Sequence, residues 1–155
     1  MKFEIVPPQG VRGIKFGSSI EKIRRQFGPG FQPFKRSLDN AVPSDYYPNL
    51  GLFAYYKKSG ELEAVEFERP IHVMFDGMDL LKVSFNTVRT HLRSRDKELE
   101  EDYDSVTSYA LGIGVWAPEK QEHPLKRCER VIVFPKGYYD EFNLRQAERR
   151  SASKK

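Results

Sequence analysis

NLGLFAYY at residues 49–56 and ALGIGVWA at residues 110–117 carry one phrase twice: Leu-Gly, an apolar residue, then an aromatic four places after the glycine. The fold turns on whether this phrase is a ligand-binding motif or the first arm of a structural unit used twice. Gly112-Ile113-Gly114 is not a phosphate loop, because it runs on into Val115-Trp116-Ala117, whereas a dinucleotide site needs a third glycine and a helix N-terminus. Glycine within a strand pattern answers instead to close backbone approach or a bulge.

Working outward, KKSG at 57–60 separates NLGLFAYY from ELEAVEFE at 61–68, and this small polar turn between two aromatic and β-branched runs predicts a β-hairpin. Along the second arm Leu62, Ala64 and Glu66 alternate with Glu63, Val65 and Phe67, so neither face is cleanly apolar and the inward side stays open. ALGIGVWA and ERVIVF at 129–134 form a second hairpin pattern, joined by PEKQEHPLKRC, a solvent loop with two prolines.

Ahead of each hairpin lies a helical pattern. In GIKFGSSIEKIRRQFGPG at 13–30, Ser18 and Glu21 fit a capping box, Ile20, Ile23 and Phe27 recur at helical spacing, and Gly-Pro-Gly ends the run. A short amphipathic helix over about 19–27 follows. The second unit begins with a strand pattern at 71–75 and a turn at Asp76-Gly77, then a helix with Ser84 as N-cap and Phe85, Val88 and Leu92 inward.

Set side by side, residues of about 13–70 and 77–135 correspond as units, with length changes falling in the joints where loops tolerate them. The identities are few, and ordinary capping and strand chemistry would give the same likeness without duplication. The expected fold is α+β over residues 1–142: two helix–β-hairpin units sharing an antiparallel sheet, with both helices packed on one face. Whether Tyr55 and Trp116 are core or exposed depends on which face that is.

The chain of 155 residues is long enough to bury a core, and eleven Phe, eight Tyr and one Trp are too many aromatics for a disordered polymer. The formal charge of +4 is carried by the end of the chain. From residue 143 onward Arg145, Arg149, Arg150, Lys154 and Lys155 face only Glu148, so the preceding residues are neutral in sum. A basic tail over 143–155 reads as a solubilising terminus, and a nucleic-acid partner is disfavoured, although sheet aromatics plus this tail are the elements a weak binder would use. No apolar run approaches the length of a membrane span, and MKFEIVPPQG lacks the pattern of a signal peptide, so a cytoplasmic location is expected. Cys128 is the only cysteine, which excludes an internal disulfide and argues against a cysteine metal cage.

The phrase GIKFGSSIEKIRRQFGPG resembles Gly-x-[Ser/Thr]-x-x-x-[Val/Ile]-x-x-x-[Phe/Leu]-Gly-x of the β-lactamase-inhibitor-protein-like folds, which include the outer-membrane assembly lipoprotein family. The resemblance covers about residues 13–29 and implies helix-then-strand units that bind proteins rather than catalyse. This chain departs from the secreted members in lacking a signal peptide and a lipid-attachment cysteine. Its layout, ending VIVFPKGYYDEF, is also similar to small uncharacterised bacterial proteins that include toxin-immunity proteins.

Catalytic patterns are sparse. His72, His91 and His123 have no second histidine at helical spacing, so no metal or cofactor is expected; Asp45, His72, Asp76 and Tyr138 are the members a dispersed active site would draw on. Two features point to binding. One is RDKELEEDYD, where six carboxylates between Asp96 and Asp104, among them Glu100, Glu101, Asp102 and Asp104, surround Tyr103 with only Lys97 opposing them. Such a segment suits a basic partner, for example a toxin or enzyme with a cationic active site. The other is the pair of doublets Tyr46-Tyr47 and Tyr138-Tyr139, each with a neighbouring Asp, Asp45 or Asp140, since Tyr supplies interface area at small entropy cost. The expected function is a non-enzymatic protein-binding module of immunity or inhibitor type. A solvated helix end and edge-of-sheet packing are the plainer accounts of the two features.

Overall fold

Short β-branched and aromatic runs pair into strands along most of the chain. The computed structural model describes residues 1–35, 42–118 and 125–139. The first half contributes β1 (Lys2–Val6), β2 (Gly10–Val11), α1 (Ile20–Phe27), β3 (Gln32–Phe34), β4 (Ser44–Tyr47), β5 (Leu52–Tyr56) and β6 (Leu62–Phe67). The second contributes β7 (His72–Phe75), β8 (Met78–Asp79), α2 (Phe85–Arg93), β9 (Glu100–Glu101), β10 (Ser105–Ser108), β11 (Ile113–Trp116) and β12 (Arg130–Val133).

This overturns the α+β expectation of two helix–hairpin units with helices covering one face. The protein is mostly β, with an eight-stranded antiparallel sheet in the order β3-β4-β5-β6-β12-β11-β10-β9 and a four-stranded sheet in the order β2-β1-β7-β8. The reason is dimensional. Helices of eight and nine residues are about 12–14 Å long at about 1.5 Å per residue. Eight strands spaced about 4.8 Å apart span about 34 Å. The helices are too small to cover that sheet, and the four-stranded sheet shares the task.

The proposed units were also too small. Two strands intervene between each helix and the hairpin that follows it, and a hairpin precedes each helix. Both sheet orders nevertheless read alike from their two ends, with β6 and β12 meeting antiparallel at the centre through Glu66 and Ile132, and β1 and β7 pairing in parallel.

The core lies between the large sheet and the layer formed by the small sheet and helices. Phe3 of β1 packs on Phe67 of β6 at 5.2 Å between centroids and on Phe27 of α1 at 6.2 Å, and Phe27 meets Tyr47 of β4 at 5.6 Å. Ile23, Phe85, Val88 and Leu92 bring the buried stripes of both helices into the same cluster.

Ser19, not Ser18, is the N-cap of α1 and accepts the Lys22 N–H at 3.1 Å, so the capping box read at Ser18 and Glu21 gives way to a cap one residue later. Ser18 is buried, its carbonyl accepting the Leu62 N–H at 2.8 Å, which withdraws it from capping. Ser84 caps α2 through the Thr87 N–H at 3.2 Å.

The unclear alternation of the β6 arm has a local cause. Tyr55 pairs with Ala64 but Tyr56 with Leu62, a register shift that leaves Glu63 as the extra residue of a bulge. Leu62 thus joins Val65 and Phe67 in the main core, while Ala64 joins the opposite face.

The repeated Leu-Gly phrase is explained by the turns before β5 and β11. Gly51 and Gly112 have φ of +78° and +72°, and their carbonyls accept the Glu68 and Phe134 N–H groups at 2.8 and 3.0 Å. A Cβ at Gly51 would lie 2.5 Å from the Glu68 carbonyl oxygen, and one at Gly112 would meet the Phe134 carbonyl oxygen. Both demands, left-handed backbone and close approach, select glycine.

Candidate functional site

Strand alternation sends the second set of large-sheet side chains to the face turned away from the helices. There Phe53, Tyr55, Ala64 and Phe134 form a separate cluster, with Phe34, Tyr46, Tyr109, Ile132, Tyr138 and Tyr139 packed around it. The central pair of strands places charge among these rings. Arg130 of β12 bridges Glu66 at 2.9 Å and Glu68 at 3.2 Å, and its guanidinium lies 4.3 Å over the Phe53 ring. Tyr46 stacks on Phe53 at 4.3 Å and donates to Glu68 at 2.5 Å, while Tyr55 donates to Glu66 at 3.0 Å. The hydrogen bond to Glu68, then burial, raises the Tyr46 pKa, which keeps its hydroxyl a donor.

Beside this network Glu66, Thr107, Trp116, Arg130, Ile132 and Tyr139 line a shallow cavity of about 160 Å³. Trp116 is exposed and donates its indole N–H to Asp104 at 3.3 Å. Tyr55 is buried, but among the rings of this face and not in the main core, so both aromatics of the repeated phrase belong to the outer face.

The two tyrosine doublets have different fates. Tyr46 is on the outer face, but Tyr47 is 2% exposed in the main core, since neighbouring strand residues point oppositely. Tyr138 and Tyr139 both stay on the outer face, where Phe134 meets their rings at 5.7 and 4.8 Å and Tyr109 meets Tyr139 at 5.8 Å. One member of the first doublet and both of the second therefore share a surface. Asp140 and the tail over 143–155 lie outside the described residues, as does His123.

The acidic segment is divided in the same way. Glu100 accepts from the Tyr109 hydroxyl at 2.9 Å, on the outer face. Glu101 turns to α2, pairing with Arg93 at 2.5 Å and Arg89 at 3.8 Å. Asp102 accepts the Tyr103 backbone N–H at 3.0 Å, Tyr103 is 56% exposed, and Asp104 holds Trp116. Asp96 is turned inward, accepting from Ser108 at 2.7 Å and from the Glu98 N–H at 2.9 Å. Only part of the acidic run therefore remains available to a partner.

Asp45, His72, Asp76 and Tyr138 are not assembled into one cluster. Asp45 is fully buried, bound by Arg24 at 2.8 and 2.9 Å and by the Tyr56 hydroxyl at 3.2 Å. His72 pairs with Asp79 at 2.7 Å, and Asp76 pairs with Arg95. No group of three or more His, Cys, Asp or Glu suited to a metal ion occurs among the described residues.

Phe53, Glu66, Glu68, Tyr109 and Arg130 were missed as site residues. Their signal is weak in sequence, because a charged residue in a strand reads as solvent-facing whichever partners it finds across the sheet. Only pairing Trp116 opposite Arg130, and Phe53 opposite Glu66, brings them together. No family model, curated protein or solved structure matches the chain.

Proposed function

We propose that the protein is a non-enzymatic protein-binding module of immunity or inhibitor type, docking a basic partner on the outer face of its eight-stranded sheet. The observation that carries this reading is the combination of rings and carboxylates on that face: Glu66, Glu68, Glu100 and Asp104 lie among Tyr, Phe and Trp side chains, with Arg130 between Glu66 and Glu68. Tyrosine hydroxyls hold Glu66, Glu68 and Glu100, Arg130 also holds the first two, and the Trp116 indole holds Asp104, so little side-chain entropy remains to be lost on binding. Rings supply apolar area, and carboxylates set among them attract a cationic surface and speed its encounter.

The test is affinity capture from the native host, or with the product of an adjacent toxin-like gene. The immobilised proteins are wild type, the outer-face variant Glu66→Gln/Glu68→Gln, and the helix-side control Glu21→Gln, each confirmed folded by circular dichroism. The wild type and control should retain a basic protein, eluting at moderate salt, and the outer-face variant should lose it. Equal retention by all three, or no specific partner in any, rejects the proposal.

A further inference from the structure

A groove apart from the outer face stands at the joint between the halves. Arg69, Pro70, Ile71, His72, Asp79, Leu81, Lys82 and Arg127 line a groove of about 410 Å³, within the usual size range of small-molecule pockets, about 300–1,000 Å³. Ile71 and Leu81 are buried and supply an apolar floor. Arg69 is fixed at its wall, donating through Nη1 to the carbonyls of Cys128 at 2.8 Å and Leu81 at 3.4 Å. Asp79 is occupied by His72 Nδ1 at 2.7 Å and by the Leu81 N–H at 3.2 Å.

Among the described residues, Arg69, Lys82 and Arg127 have no carboxylate partner. Arg127 is held in place through its backbone bridge to Ser84, ahead of α2. The matching bridge in the first half joins Ser19 to Glu61, an acid where the second half has Arg127. Asp79 is the one carboxylate among the lining residues and is already engaged by His72 and the Leu81 N–H, so cationic charge is in excess around the groove.

We propose that this groove binds the phosphate group of a small anionic ligand, with Arg69, Lys82 and Arg127 as its charge partners and the Ile71–Leu81 floor for an adjoining apolar part. Guanidinium groups suit this role because their fixed N–H fork matches phosphate oxygens. The proposal does not depend on the outer-face reading, which concerns other residues and the opposite sign of charge.

Inorganic pyrophosphate titrated into the isotope-labelled full-length protein at constant ionic strength tests it. Amide resonances of residues 69–72, 79–82 and 126–128 should shift together, and Lys82→Gln/Arg127→Gln should weaken binding about tenfold or more. The surface control Lys15→Gln should bind as wild type, and both variants should keep the wild-type thermal midpoint. Shifts scattered over surface lysines and arginines, no saturable shifts, or equal affinity in the double variant would overturn the proposal. A single-stranded oligonucleotide provides a further arm: tighter, steeply salt-dependent binding at the same groove would replace the small ligand with a nucleic-acid backbone.

Discussion

Gly51 and Gly112 show how much a single position can impose. Each combines a left-handed backbone with a neighbouring strand's carbonyl where a Cβ would stand. Gly51→Ala and Gly112→Ala should each destabilise the protein by at least about 2 kcal/mol, through conformational strain plus displacement of the opposing strand. Urea denaturation measures this, and a cost below about 1 kcal/mol, the scale of a harmless Gly-to-Ala change, would contradict it. Asp45 makes the opposite kind of demand. Its carboxylate is out of water and depends on Arg24, itself stacked 4.1 Å over Phe31, so α1 is tied to β4 by a charge pair. Arg24→Gln should cost about 3 kcal/mol by stranding a buried carboxylate, and Arg24→Gln/Asp45→Asn should recover part of that loss. Additive losses in the double variant would show that the two groups do not act as a pair.

The helices and central hairpins were legible at the scale of elements because their signals are local. Ile20, Ile23 and Phe27 at helical spacing need only one another to specify a face, and Gly28, with φ of +86°, ends α1 as its residue type suggests. Ser19→Ala and Ser84→Ala should each cost about 1 kcal/mol, and their effects should add, since the two caps serve separate helices. Chemical denaturation of the single and double variants checks both statements. The strands that escaped reading are those whose partners are remote or whose runs are short. β9 has two residues and β2 and β8 two each, too few for an alternation to register. β3 contains Pro33, which argues against a strand interior but is tolerated at the sheet edge where β3 lies. The β6 bulge at Glu63 defeated the reading of inward and outward faces, because one extra residue inverts everything beyond it.

At the scale of the whole fold, Tyr47, Tyr56 and Cys128 hold their protons out of water. Burial, then Asp45, pushes the Tyr47 hydroxyl up to about 12 from 10.0, and the same two causes raise Tyr56. Burial pushes the Cys128 thiol up to about 12 from 9.0. The folded chain thus holds protons that the unfolded chain sheds at lower pH, so this share of stability is complete below about pH 9 and falls as the pH rises toward about 12. Urea midpoints should fall between about pH 9 and 12, with Cys128→Ala flattening the lower part of that decline and Tyr56→Phe the upper. A native Cys128 that reacts with thiol reagents as fast as the unfolded chain would contradict its burial.

The sequence by itself determined two capped helices, two hairpin cores and the pairs of serines and glycines that punctuate both halves, because each of these depends on residues within about one turn or one hairpin of one another. Tertiary structure alone decided that the chain is mostly β, that Tyr46 and Tyr47 part company, and that Glu101 serves a helix while Glu100 faces outward. It also decided where charge collects: carboxylates and rings on the outer face of one sheet, and Arg69, Lys82 and Arg127 around one groove. Neither gathering could be seen along the chain, since a near-neutral run of residues places no constraint on which side chains meet once strands far apart in sequence pair side by side.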